Sequence, residues 1–120
     1  MSSAAPTVMR GEVWYAQLDP VTGHEQGGDR PCLVVSNNML NQSPSLLVTV
    51  LPITRKERPL PTRIEIVPPN GGCTERSFII CEQIRTVSKD RLRRRCGDIH
   101  RGTMQLVESV LKQILAIPSS

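Results

Sequence analysis

One stretch, residues 103–117, carries a helical period, and this limits the fold more than any other feature. Met104, Val107, Val110, Leu111, Ile114 and Leu115 recur at spacings of three and four, the stripe of a helix that packs on something. Upstream, the chain breaks into short runs that are apolar, β-branched or alternating. They cover residues 11–18 (GEVWYAQL), 32–36 (CLVVS), 46–53 (LLVTVLPI), 62–67, 77–81 with a continuation to 86, and 93–99. Many short strands followed by one amphipathic helix predict a mainly β, α+β domain: an antiparallel, barrel-like sheet capped by a C-terminal helix. Pro52 predicts an edge or a bend near the end of its strand. A short helical turn is expected over 88–92. The basic, glycine-containing His100-Arg101-Gly102 disfavours a helix start, so the helix is expected to begin near Thr103.

With 120 residues the chain supports one domain and one modest core. Residues 1–9 are small and polar and read as a flexible leader before a single domain over 10–118. Met9 is an alternative start, and the leader lacks the basic opening and apolar run of a signal peptide. No run is long and apolar enough to span a membrane. Cys32, Cys73, Cys81 and Cys96 form no C-x-x-C pair, and neither His24 nor His100 has a nearby cysteine, so no metal site is expected. Cys32 and Cys81 fall in apolar runs and read as small buried hydrophobes. Reduced thiols without a targeting signal point to the cytoplasm.

The net charge is +4, and twelve of the fifteen basic residues are Arg, whose planar fork of donors suits phosphate oxygens. Trp14, Tyr15 and Phe78 are the only aromatic residues, too few for a platform that stacks successive bases. Polar and backbone contacts must then carry much of any nucleic-acid recognition. The longest polar loop, VTGHEQGGDRP over 21–31, has no apolar periodicity and is the first place to look for chemistry.

Several blocks, in order, carry a family resemblance. Gly11-Glu12-Val13-Trp14, Asp19-Pro20 and Gly23-His24-Glu25-Gln26-Gly27-Gly28-Asp29-Arg30-Pro31 open it. Leu33-Val34-Val35-Ser36-Asn37, Pro52-Ile53-Thr54, Leu60-Pro61-Thr62-Arg63-Ile64-Glu65-Ile66 and Glu82-Gln83-Ile84-Arg85-Thr86 continue it. From about Arg10 to the C-terminal helix the chain resembles the MazF/PemK endoribonuclease toxins of type II toxin–antitoxin systems. The resemblance implies a small SH3-like barrel of the CcdB/MazF kind that works as a homodimer with single-stranded RNA across the interface. It implies cleavage of mRNA at a short motif without metal or cofactor, through attack of the 2′-hydroxyl. A cyclic phosphate and a 5′-hydroxyl are the expected ends, and a cognate MazE-like antitoxin peptide silences the enzyme.

The resemblance also assigns roles. Arg30 and Thr54 align with the family's catalytic arginine and threonine. A guanidinium is a poor base at neutral pH but well suited to stabilising a phosphorane; pairing with Asp29 is the structural alternative. Thr54 can donate to a phosphate oxygen or simply cap a turn. His24, Glu25, Gln26, Asn37, Thr62, Glu82, Gln83 and Arg85 are the candidate RNA-binding residues. Glu25 is also a candidate to orient Arg30, His24 to act as a base or alter base choice, and Glu82 with Arg85 to form an ion pair. Arg91, Arg93, Arg94 and Arg95 read as a solvated face, a phosphate-steering patch or a landing site for an acidic antitoxin tail. Two other functions stay open: a CcdB-like toxin that binds DNA gyrase, and a catalytically silent RNA-binding relative.

Overall fold

The computed structural model describes residues 7–118. The elements run β1 (Glu12–Gln17), β2 (Asp29–Val34), α1 (Asn38–Asn41), β3 (Leu47–Thr54), β4 (Arg63–Ile66), β5 (Ser77–Ile80), β6 (Arg85–Ser88), β7 (Leu92–Asp98) and α2 (Arg101–Ile114). Every strand pairing is antiparallel. The order is β4-β5-β3-β2-β1-β7, with β6 also paired to β3. β4 and β7 end this path, so the sheet curls without closing its ladder.

Both faces of the sheet are buried, which is why several strands read as continuous apolar runs instead of clean alternations. Along β1 the side chains part by the strand period of two. Trp14 and Ala16, with Leu18 just beyond, join Cys32, Val34, Val48 and Val50 in one cluster; Val13 joins Leu33, Leu51, Ile53 and Ile79 in the other. Val87 of β6 and Leu92 of β7 meet in the first cluster although their strands do not pair, so the curl wraps this core. α2 covers the second. Val107 is fully buried there, and Met104, Val110, Leu111 and Ile114 pack around it. Burying one such side chain stabilises the fold by about 1.5–3 kcal/mol.

β3 is the hub of the sheet. On one side it pairs β6 through Leu47–Val50 and then β5 through Ile53 and Thr54. Pro52, buried and lacking an N–H, sits where that partner changes. The strand is therefore central, not the edge the proline suggested.

Other boundaries move for identifiable reasons. β2 begins at Asp29, so Arg30 lies on a strand: the backbone pairs Ala16↔Arg30 and Gln17↔Asp29 extend the hairpin past the last apolar side chain. The 77–86 run is split by a 3-10 turn at Cys81–Gln83, whereas the turn expected after Ser88 is present at Lys89–Arg91. α2 starts at Arg101, earlier than the sequence suggests. Its N-cap His100 makes no side-chain capping bond; instead buried Asn70 accepts from His100 N (2.8 Å) and donates to Thr103 Oγ1 (3.0 Å). A distant amide thus satisfies the His100 N–H and ties the first turn of α2 through the Thr103 hydroxyl. Leu115 lies beyond the helix and is exposed.

Of the expected leader, residues 1–6 fall outside the described residues. Val8, however, is completely buried in the curled core, and its carbonyl accepts from Gln42 Nε2 at 2.8 Å. The packed chain therefore begins before Arg10.

Candidate active site

Two clefts meet at the C-terminal end of β3. The larger encloses about 580 Å³ and is lined by Asp29, Arg30, Ile53, Thr54, Gly72, Ser77 and Arg94, among others. The smaller, about 270 Å³, is lined by His24, Glu25, Gln26, Thr54, Lys56, Arg58, Arg63 and Gln83. Thr54 and Lys56 line both.

Arg30 projects from the start of β2, and its guanidinium is held by the loop that precedes it. Nε donates to the Gly27 carbonyl at 2.8 Å. With the Gln26 amide turned oxygen-first, that oxygen accepts from Nη1 at 3.1 Å and Nη2 at 2.9 Å. Three of the five N–H donors are thereby engaged, and the rest are free for an anion. Among the described residues no carboxylate lies within ion-pair distance of Arg30; Asp29, which lines the same cleft, is exposed and forms no ion pair with it. Neutral oxygens fix the cation without neutralising it.

Thr54 ends β3 and is almost fully buried. Its Oγ1 accepts from Lys56 N at 3.1 Å, so the turn-capping role is real. Accepting there leaves the hydroxyl proton available to donate into the cleft.

Gln83 grips the loop by its backbone: Oε1 accepts from Gln26 N (2.5 Å) and Nε2 donates to the His24 carbonyl (3.4 Å). The chain of contacts therefore runs Gln83, Gln26, Arg30. Glu25 does not orient Arg30. Its carboxylate accepts from Thr22 N at 3.2 Å and faces Arg85 Nη1 at 3.9 Å.

The Glu82–Arg85 ion pair, one of two readings the sequence left open, is absent among the described residues. Glu82 instead accepts from Thr62 Oγ1 (2.7 Å) and from Arg63 Nε and Nη2 (both 2.8 Å), and Arg63 is almost buried. Burial pushes the Glu82 carboxyl up, but the Thr62 hydroxyl and Arg63 guanidinium outweigh it and hold it below its ordinary value. Thr62 and Glu82 are thus turned toward each other and line neither cleft. Arg85 is also outside both, donating to the Leu18 carbonyl at 3.4 Å. Asn37 caps α1 through Met39 N at 2.7 Å, likewise away from both clefts.

The fold, the ordered Arg30 and the neighbouring Thr54 coincide with a sequence match over nearly the whole chain: the profile of the PemK-like, MazF-like toxins of type II toxin–antitoxin systems matches residues 9–115. The chain belongs to this family. It is 39% identical over 111 residues to Endoribonuclease EndoA of Bacillus subtilis (strain 168), covering 92% of this chain and 96% of that one. It is similar to an endoribonuclease of a mycobacterial species solved in complex with its cognate antitoxin (TM-score 0.75, 26% identity, 94% and 99% of the two chains). MazF of Deinococcus radiodurans shares the fold with TM-score 0.82 at 22% identity, over 93% and 99% of the chains.

In this MazF/PemK toxin the structure separates Arg94 from the arginine run in which the sequence grouped it. Arg94 stacks on Tyr15, 5.0 Å from the ring centroid, and both line the larger cleft. The arginine run is therefore not one patch. Arg95 pairs with Glu12 (2.8 Å) and Asp98 (2.6 Å), Arg93 and Arg91 bind backbone carbonyls, and Arg94 alone of them faces the cleft. The Tyr15↔Arg94 register sets this, and only strand pairing reveals it. Cys73 and Cys96 line the same cleft, while Cys32 and Cys81 are buried, their thiols pushed up by burial to about 12. The buried pair is chemically quiet.

Proposed function

We propose that this toxin is a metal-independent endoribonuclease that cuts single-stranded mRNA at a short motif, with Arg30 and Thr54 as its catalytic pair. The observation that carries the reading is their convergence on one cleft, each with unused donors. The 2′-oxygen attacks the adjacent phosphorus as its proton leaves, the P–O5′ bond breaks, and the 5′-oxygen takes up a proton. The products are a 2′,3′-cyclic phosphate and a 5′-hydroxyl. Charge gathers on the non-bridging oxygens in the phosphorane-like transition state, where Arg30 and Thr54 donate to it. DNA lacks the nucleophile and survives.

The active form is a homodimer with RNA across the interface, silenced by a MazE-like antitoxin peptide, and it acts in the cytoplasm. Family membership supports this, as does the mycobacterial relative solved with its antitoxin. Among the described residues no helix is long and apolar enough to cross a membrane. His24, Glu25 and Gln26 form the RNA-facing loop, and Gln83 secures it. The family match and the intact Arg30–Thr54 pair favour cleavage over the gyrase-binding and catalytically silent alternatives.

Wild-type protein and Arg30→Ala are incubated with long single-stranded RNA in excess EDTA, and the product ends are mapped. Cuts at a recurrent motif with the stated ends are expected, reduced on the order of 100- to 1,000-fold in the variant. Intact RNA after incubation with folded wild-type protein would overturn the reading.

A further inference from the structure

Most cations around the two clefts are already paired. Arg55 binds Glu75 at 2.5 Å, and Arg63 is held by Glu82 at 2.8 Å. Arg30 is fixed by two neutral oxygens, and Arg94 lies over Tyr15. Lys56 and Arg58 differ. Both are exposed and line the smaller cleft, and among the described residues neither side chain has an ion-pair or hydrogen-bond partner. Glu25, the acidic residue in that cleft, faces Arg85.

Position adds to charge. Among the described residues, Lys56 and Thr54 alone line both clefts, and the Thr54 hydroxyl fixes the Lys56 backbone at 3.1 Å. A strand with its scissile phosphate at Arg30 and Thr54 leaves the larger cleft beside Lys56 and enters the smaller one, where the free cations await an anion. We propose that Lys56 and Arg58 form a phosphate subsite that holds the phosphodiester flanking the cut. The proposal rests on the nuclease reading. It gives the smaller cleft two jobs: loop residues His24, Glu25 and Gln26 face the bases, while the opposite wall grips the backbone without regard to sequence.

The test uses an RNA carrying the motif mapped from wild-type products, made uncleavable by a 2′-deoxy substitution at the attacking position. Its dissociation constant is measured against salt for wild type, Lys56→Gln/Arg58→Gln and Lys56→Arg, with cleavage kinetics on the matching all-ribose strand. Emptying a subsite that neutralises one phosphate should lower the salt slope by about 0.7 on a single strand. KM should rise on the order of tenfold or more with kcat little changed, since this binding is shared by ground and transition states. Lys56→Arg should keep the wild-type slope. If the double variant cleaves and binds with the wild-type slope, the subsite is wrong although the nuclease reading stands. Weakened affinity at an unchanged slope would also overturn it, because the lost contacts were then not to phosphate. Wild-type protein that leaves the ribose strand intact removes the nuclease reading and this subsite with it.

Discussion

Gln83 holds the backbone N–H of Gln26 at 2.5 Å across 57 residues of sequence, and Gln26 in turn receives the Arg30 guanidinium. Arg30, the proposed catalytic arginine, is therefore positioned from the turn between β5 and β6 through a loop that has little structure of its own. Fixing the guanidinium before substrate arrives lowers the reorganisation needed in the transition state.

Gln83 is accordingly expected to act as a positioning residue. Gln83→Ala is expected to lower kcat about tenfold, equivalent to about 1.4 kcal/mol of transition-state stabilisation, with a smaller change in KM. Gln83→Glu keeps an oxygen that accepts from Gln26 N and should recover most of that loss. Equal kcat values for both variants, measured on one motif-bearing RNA, would show that the hydrogen bond to the loop does not matter.

Glu82 gives the fold an acid-sensitive clasp. Its folded carboxyl is held below the unfolded value, so its contribution to stability is complete above the unfolded value and is lost as pH falls through the folded one. Glu82→Ala leaves the almost buried Arg63 without its partner and should cost about 3 kcal/mol at pH 7. The Glu82→Ala/Arg63→Met double variant should recover part of this. Denaturant titrations from neutral pH into the acid range should show the gap between wild type and Glu82→Gln narrowing as pH drops. A constant gap would mean the carboxylate charge is irrelevant.

Gly72 shapes the wall of the larger cleft. It sits at φ +75°, and a Cβ built there would lie 2.1 Å from the Cys96 carbonyl oxygen, a backbone atom that cannot swing aside. Gly72→Ala combines left-handed strain with that clash and should destabilise by roughly 3 kcal/mol. Gly102→Ala is the contrast: it lies in α2 with nothing within 4 Å of its Cβ, and it should be neutral or stabilise by up to about 1 kcal/mol. Thermal denaturation of the two variants side by side decides it.

Element type and order were legible in the chain. The spacing of Val107, Val110, Leu111 and Ile114 marks α2, and the apolar runs around Val34 and Val50 mark strands, because both periods are local properties of successive side chains. The ordered blocks around Arg30, Thr54 and Gln83 likewise carried the family. Partners of polar side chains were not legible. Glu82 could pair with Arg85 by proximity in sequence, yet β4 lies beside β5 in the register Arg63↔Ile80 and brings Arg63 and Thr62 to it instead. Arg94 meets Tyr15 because β7 pairs β1, and Asn70 bonds His100 and Thr103 because its turn packs at the start of α2. Hydrophobic periodicity is written within each segment, whereas a hydrogen bond or ion pair needs two groups within a few ångströms. Strand order, register and the packing of turns and loops on the sheet decide which groups those are.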